Sequence, residues 1–141
     1  MLKKYQLGDI YMGRLDYQAD LLKQLTKIVE SKNIKSGRIN VIGAVKKATI
    51  SFYDQQKKEY RDLTWTEEME IVNCVGNISL RDGETIIHAH ITLGTSAGKL
   101  RGGHLAVGTT VFAAEYIIEE FIGEALERGT DEVTGLPLWE D

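Results

Sequence analysis

The feature that most restricts this chain is alternation. From Arg38 to Phe121, apolar and polar residues exchange places with a period of two in one stretch after another, and only short turns separate the stretches. Successive side chains on an extended strand point to opposite faces, so this period marks strands with one face buried. Ile39-Asn40-Val41-Ile42 leads into Gly43, and Ala48 to Tyr53 sets Ile50 and Phe52 against Thr49 and Ser51. Asp54 to Lys58 reads as a hairpin loop, Tyr60 to Trp65 as a strand, and Glu70 to Leu80 as a largely apolar strand closed by the turn Arg81-Asp82-Gly83. Thr85 to Leu93 alternates again, Ser96-Ala97-Gly98 turns the chain, and Thr110 to Phe121 is a last long β run. A first strand is expected within Leu7 to Leu15.

One segment follows a different period. Leu22, Leu25, Ile28 and Val29 recur at helical spacing, with lysines and Gln24 between them. Asp16 is the expected N-cap, Asp20 adds negative charge to the first turn, and Asn33, Ser36 and Gly37 mark the end. Many strands, short turns and one amphipathic helix predict an α+β domain on a mostly antiparallel sheet. The 141 residues suit a single domain, 1–141, able to bury a core without disulfides. The polar tail from Gly129 to Asp141, with isolated Leu136, Leu138 and Trp139, is expected to pack back onto the body.

The single cysteine, Cys74, sits in an apolar run and reads as a small buried hydrophobe; it excludes an intrachain disulfide and fits a reducing cytoplasm. The N-terminal lysines are not followed by an apolar h-region, and no apolar run approaches the roughly 20 residues of a membrane span. A soluble, cytoplasmic protein is expected. The net charge of −4 argues against self-sufficient binding to DNA, whose nonspecific partners usually present a positive face. Lys46-Lys47, Lys57-Lys58-Arg61 and Lys99 with Arg101 are small basic groups that read as ordinary surface. Lys99 and Arg101, beside the histidines, are placed to attract an anion.

All three histidines fall between positions 88 and 104. In Ile87-His88-Ala89-His90-Ile91, the two imidazoles share one face of a strand while the apolar residues share the other, and the histidine Cα atoms stand about 6.5–7 Å apart. The loop Gly94 to Gly98 lets the chain double back and bring His104, after Gly102-Gly103, beside the pair. Three neutral imidazoles with an open position describe a zinc site. Two other readings stay open: an unmetallated polar cluster on a sheet face or oligomer interface, and direct acid–base catalysis. The glycines match no phosphate loop and suit positive φ or close backbone approach. Glu67, Glu68 and Glu70 are acidic neighbours whose adjacency does not define paired-carboxylate catalysis.

Several of these residues together resemble the PPC (plants and prokaryotes conserved) domain family. The match rests on His88-Ala89-His90-Ile91-Thr92-Leu93, Gly98, Gly102-Gly103-His104-Leu105, and a β run containing Glu115. Met69-Glu70-Ile71-Val72 with Val75-Gly76-Asn77-Ile78, and the ending Asp131 to Leu136, extend it over nearly the whole chain. The resemblance implies an α+β fold with a mixed, largely antiparallel sheet, a homotrimer, and zinc at the histidines. In plants such domains follow AT-hooks in transcription regulators. An AT-hook needs an Arg-Gly-Arg-Pro core, and the only proline here is Pro137. The expectation is therefore an oligomeric binding or regulatory module, DNA-associated directly or through a partner, with His88, His90 and His104 as metal ligands and Glu70, Arg101 and Glu115 as supports. The alternatives are a zinc-dependent, hydrolase-type enzyme acting on a small anionic substrate, and a purely structural trimer.

Overall fold

The computed structural model describes residues 1–140. Its strands are β1 (Gln6–Leu15), β2 (Gly37–Asp54), β3 (Glu59–Trp65), β4 (Met69–Arg81), β5 (Glu84–Thr95), β6 (Leu100–Leu105), β7 (Thr110–Ile122), β8 (Arg128–Thr130) and β9 (Pro137–Trp139), with one helix, α1 (Leu21–Ser31). Seven strands form one sheet in the order β1-β7-β2-β4-β5-β6, with β3 attached to β2. Every strand pairing among the described residues is antiparallel, and the one parallel contact is an isolated bridge from Leu80 to Glu127. The sheet is therefore more uniformly antiparallel than a mixed one. Among the described residues, no helix is long and apolar enough to cross a membrane.

β2 organises the fold. Its first half pairs with β7 on one edge and β4 on the other, and its second half pairs with β3 and β6. The change of partners coincides with register shifts between Val41 and Gly43 and again between Ala44 and Lys47. Extra residues of this kind bend a strand and sharpen its twist. Gly43 is required there: its φ is +140°, and a Cβ would lie 2.2 Å from the Ala113 carbonyl oxygen. Once bent, β2 meets β6 at Ile50–Leu105 and Ser51–His104, so the ladder runs β2-β4-β5-β6 and back to β2.

The inside of this circuit holds the core. Val41, Val45, Ile50, Ile71, Cys74, Ala89, Ile91, Leu93 and Leu105 are buried there or against it. Cys74 is fully buried, and burial pushes its thiol up to about 12, so it behaves as the expected hydrophobe. Helix α1 lays Leu21, Leu25 and Val29 onto the same core.

The N-cap of α1 is Asp20, not Asp16. Asp20 has extended backbone, φ −75° and ψ 121°, and its carboxylate accepts from the Lys23 backbone N–H at 3.0 Å. It also accepts from the Gly108 N–H at 2.6 Å, tying the helix start to the loop before β7. Asp16 lies one turn earlier, before the left-handed Gln18, and its carboxylate accepts from the Gln24 side chain. The tail does pack back: β8 and β9 form a two-stranded ribbon beside β4.

A capping side chain contributes about 1 kcal/mol, up to ~2 where the site is tertiary. Asp20→Ala is therefore expected to lower unfolding free energy by about 1–2 kcal/mol, and Asp16→Ala by less than about half of that. Urea denaturation of both variants checks the assignment.

Candidate metal centre

The histidine positions follow from β register. Along β5, Ala89 and Ile91 turn into the core, which leaves His88 and His90 on the outer face. β6 returns antiparallel and places His104 directly opposite His90. The other edge of β6 pairs His104 with Ser51 of β2, and β4 pairs Asn77 with His88. Gly102 and Gly103 serve close approach: a Cβ on Gly102 would lie 2.2 Å from the Ile91 carbonyl oxygen, and one on Gly103 2.6 Å from Ile50 Cδ1. Positive φ is needed at Gly98 instead, at +72° in the preceding turn.

The three imidazoles form a triangle. Ring centroids are 5.3 Å apart for His88–His90, 4.9 Å for His88–His104 and 5.5 Å for His90–His104. One ring nitrogen from each lies within 4.8 Å of the others. Tetrahedral zinc with metal–nitrogen distances near 2.0–2.1 Å holds its donors ~3.3 Å apart, so the rings reach that geometry by shifts on the order of 1 Å. Burial, then the neighbouring His104, Arg128 and His90 charges, lowers the His88 pKa to about 4. His104 is lowered by burial, His90 and Arg128, against an upward pull from Asp62. Both are therefore neutral near pH 7, the state in which imidazole binds a metal. The donor set and the spacing fit the ion, and His88 and His104 are held neutral as ligands must be.

Sequence reasoning missed Arg128. It lies on β8, far along the chain from the histidines, yet Nη2 is 3.5 Å from His88 Nδ1. Nε donates to Ser79 Oγ, Nη1 to the Pro137 carbonyl and Nη2 to Asn77 Oδ1, each at 2.8 Å. A guanidinium only donates, so this long contact needs Nδ1 unprotonated and the proton on Nε2; a metal on His88 would take the place of Arg128 at Nδ1, or bind Nε2 with the contact given up. Nothing in the local sequence around Arg128 signals this; only the folding back of the ribbon brings it there.

The supports named from sequence lie elsewhere in the chain. Arg101 shares the β6 face of Gly103 and Leu105 rather than that of His104. Its guanidinium pairs with Glu67 and stacks 5.2 Å from the Trp65 ring. Lys99 is in the exposed turn before β6. Glu70 sits opposite Gly94, at the far end of the β4–β5 ladder, in a separate cleft of about 280 Å³ with Met69 and Phe112. Glu115 is exposed on β7 opposite Ile42. The histidines themselves open onto a cleft of about 740 Å³, walled by Phe52, Tyr60, Ile86, Ile87, Leu136 and Leu138, with Arg128 inside it.

The profile of the Plants and Prokaryotes Conserved (PCC) domain matches residues 2–122. The chain belongs to this family. A PCC chain of this shape has close structural relatives over its full length. It is 40% identical to a metal-containing protein of Archaeoglobus fulgidus, with a TM-score of 0.95, covering 100% of this chain and 99% of that one. It is 35% identical to a plant- and prokaryote-conserved protein of Pyrococcus horikoshii, with a TM-score of 0.94 and coverage of 100% and 98%. A candidate DNA-binding protein of Bacteroides thetaiotaomicron is 32% identical, with a TM-score of 0.87 and 96% coverage of each chain. The chain is also 27% identical to part of the bifunctional protein GlmU of a Synechococcus strain, but it spans only 19% of that protein's length. Arg128 lies beyond the profile and within the full-length structural matches.

The depressed His88 value gives a pH dependence with a definite sign. Between its ordinary value of 6.5 and about 4, the unfolded chain takes up a proton that the folded chain refuses. Metal-free PCC protein is expected to keep this part of its stability above pH 6.5 and lose it as pH falls towards 4. His88→Gln is expected to flatten the slope in that window. Urea midpoints of both proteins across the range provide the check.

Proposed function

We propose that this PCC chain is a trimeric binding module whose His88, His90 and His104 hold one zinc ion per subunit. The observation that carries the reading is the triangle of imidazoles, at least two of them held neutral, at the floor of a cleft. An all-nitrogen donor set suits zinc and disfavours calcium and magnesium, which take oxygen ligands. The Archaeoglobus relative, described as metal-containing, supports a bound metal in a chain of this fold. Large apolar side chains left exposed on the sheet strands, among them Met12, Ile42, Val72, Val75 and Phe112, support assembly with further copies. A single buried thiol, Cys74, suits a reducing cytoplasm.

Association with DNA or a DNA-bound partner belongs to this reading through relatives. The Bacteroides protein and a 27% identical protein of Ralstonia eutropha are both described as candidate DNA-binding proteins. A net charge of −4 means that any such contact relies on a local basic group or on a partner. The cleft above the histidines favours a second reading, a zinc enzyme of hydrolase type acting on a small anion. Bound zinc would supply Lewis acidity at its open position, while the surrounding residues bind and orient the ligand. The enzyme reading predicts turnover that vanishes on metal removal and returns with zinc; a structural site loses assembly or stability instead.

Native mass spectrometry of protein purified without an affinity tag or added metal is expected to give one zinc per subunit in a trimer. His88→Ala and His104→Ala are expected to weaken zinc binding by at least ~100-fold, since losing a ligand costs more than losing its outer-shell partner. A trimer that stays empty when zinc is supplied would overturn the metal reading. In a gel-shift assay at low salt, folded trimer is expected to retain duplex DNA weakly and to release it as salt rises. No retention by the folded trimer would sink direct DNA binding.

A further inference from the structure

The cleft over the histidines has a lining rich in basic side chains. Its lining includes Arg81, Arg128 and the three histidines and, among the described residues, no carboxylate; Asp62, which accepts from Ser51 Oγ, stands close enough to act on His104. Arg81 is half exposed and lies 3.9 Å from Asp82. Arg128 is only 7% exposed. Its partners are Ser79 Oγ, the Pro137 carbonyl, Asn77 Oδ1, His88 Nδ1 and the Trp139 ring, 5.1 Å away; all are neutral. Those four hydrogen bonds use four of the five guanidinium N–H groups, leaving one on Nη1. A buried cation is stable when it meets an opposite charge, and a neutral shell orients it without cancelling it. A divalent ion on the histidines would add to the same positive field.

The walls describe what else an anion must carry. Phe52, Ile86, Ile87, Leu136 and Leu138 make much of the cleft apolar. The volume of about 740 Å³ is that of a small-molecule site. Phosphate groups are usually met by several donors at once, from arginine forks, lysines, clustered backbone N–H groups or a helix N-terminus. Among the described residues no lysine lines this cleft, and the start of α1 is tied to Gly108 instead. A guanidinium suits both anions, but one with a single N–H left free offers one hydrogen bond, which matches a singly charged carboxylate better than a phosphate with its three acceptor oxygens.

We propose that Arg128 anchors the carboxylate of a small organic acid whose apolar body lies against Phe52, Ile86, Ile87, Leu136 and Leu138. The proposal rests on the histidine cleft being the functional site, and it assigns the anion anchor to Arg128 rather than to Arg101 or Lys99. The ribbon β8–β9 is then the part of the fold that selects the ligand, because it supplies both the charge and two of the apolar walls.

The test titrates phenylacetate, its uncharged isostere phenylacetamide, and inorganic phosphate into the full chain, zinc-free and zinc-loaded, by calorimetry and NMR. Phenylacetate is expected to bind zinc-free protein roughly tenfold or more tightly than the amide, the scale of one charge-assisted hydrogen bond. It is also expected to shift the Arg128 Nε–H resonance, which the amide and phosphate leave in place. Arg128→Gln is expected to bring acid and amide to within about twofold of each other, while Arg128→Lys keeps part of the difference. Because Arg128 is also structural, the wild-type acid–amide ratio and the Nε–H shift decide the matter if Arg128→Gln fails to fold. Equal binding of acid and amide, no binding of either, or tighter binding of phosphate overturns the proposal. Zinc affinity is titrated in parallel. Acid binding without zinc binding overturns the metal reading alone, and zinc binding without acid binding overturns this one alone.

Discussion

β2 is hydrogen-bonded to four other strands, two along each half, and most of the molecule depends on its ability to change partners midway. A flat strand of 18 residues would extend the sheet sideways. The irregularities from Val41 to Lys47 bend it instead, and Gly43 lets the backbone pass close to Ala113. Because β2 curls, β6 finds a second partner, and the end of its outer edge, at His104 and Leu105, is paired rather than exposed. The apolar interior is enclosed by the same stroke.

The candidate site inherits its rigidity from that closure. His104 is flanked by β5 and β2, and His88 and His90 sit on a strand paired along both edges. None of the three is carried by a loop. A site built on paired strands keeps its donors within a narrow range of separations before any ligand arrives, and so less ordering cost attends binding. The lowered basicity of His88 and His104 has the same origin, since the walls that enclose the rings also make their protonation costly.

Much of this is written in the sequence, because period-two patterning is a local property. The strand runs, the Arg81-Asp82-Gly83 turn, the burial of Cys74 and the shared face of His88 and His90 can all be read from neighbours a few residues apart. What cannot be read this way depends on partners far along the chain. Ile39–Ile42 and Ala48–Tyr53 look like two strands because Lys46-Lys47 interrupts the alternation; bulges absorb those residues and one strand results. β6 is masked by Gly102-Gly103, which carry no side-chain pattern. Arg101 looks like the site's cation because it is three residues from His104, but strand alternation turns it to the other face, where Glu67 takes it. Arg128 has no local mark at all. Asp16 and Asp20 both have the chemistry of an N-cap, and the choice between them is made by the Gly108 amide in a distant loop.

The cleft is composite in a way that the chain order makes plain. Its floor, with the imidazoles, belongs to the closed ladder and to the segment that defines the family; part of its wall, with Arg128, Leu136 and Leu138, belongs to a short ribbon that follows it. The ribbon joins the body through the arginine's bonds to Ser79 and Asn77, the bridge at Leu80, and hydrogen bonds from Tyr53 and Lys58 to the Thr134 and Glu132 carbonyls. Floor and wall thus come from different stretches of the chain. The same histidine floor, fitted with a different ribbon, would face a different chemical world without any change to the strands that hold it.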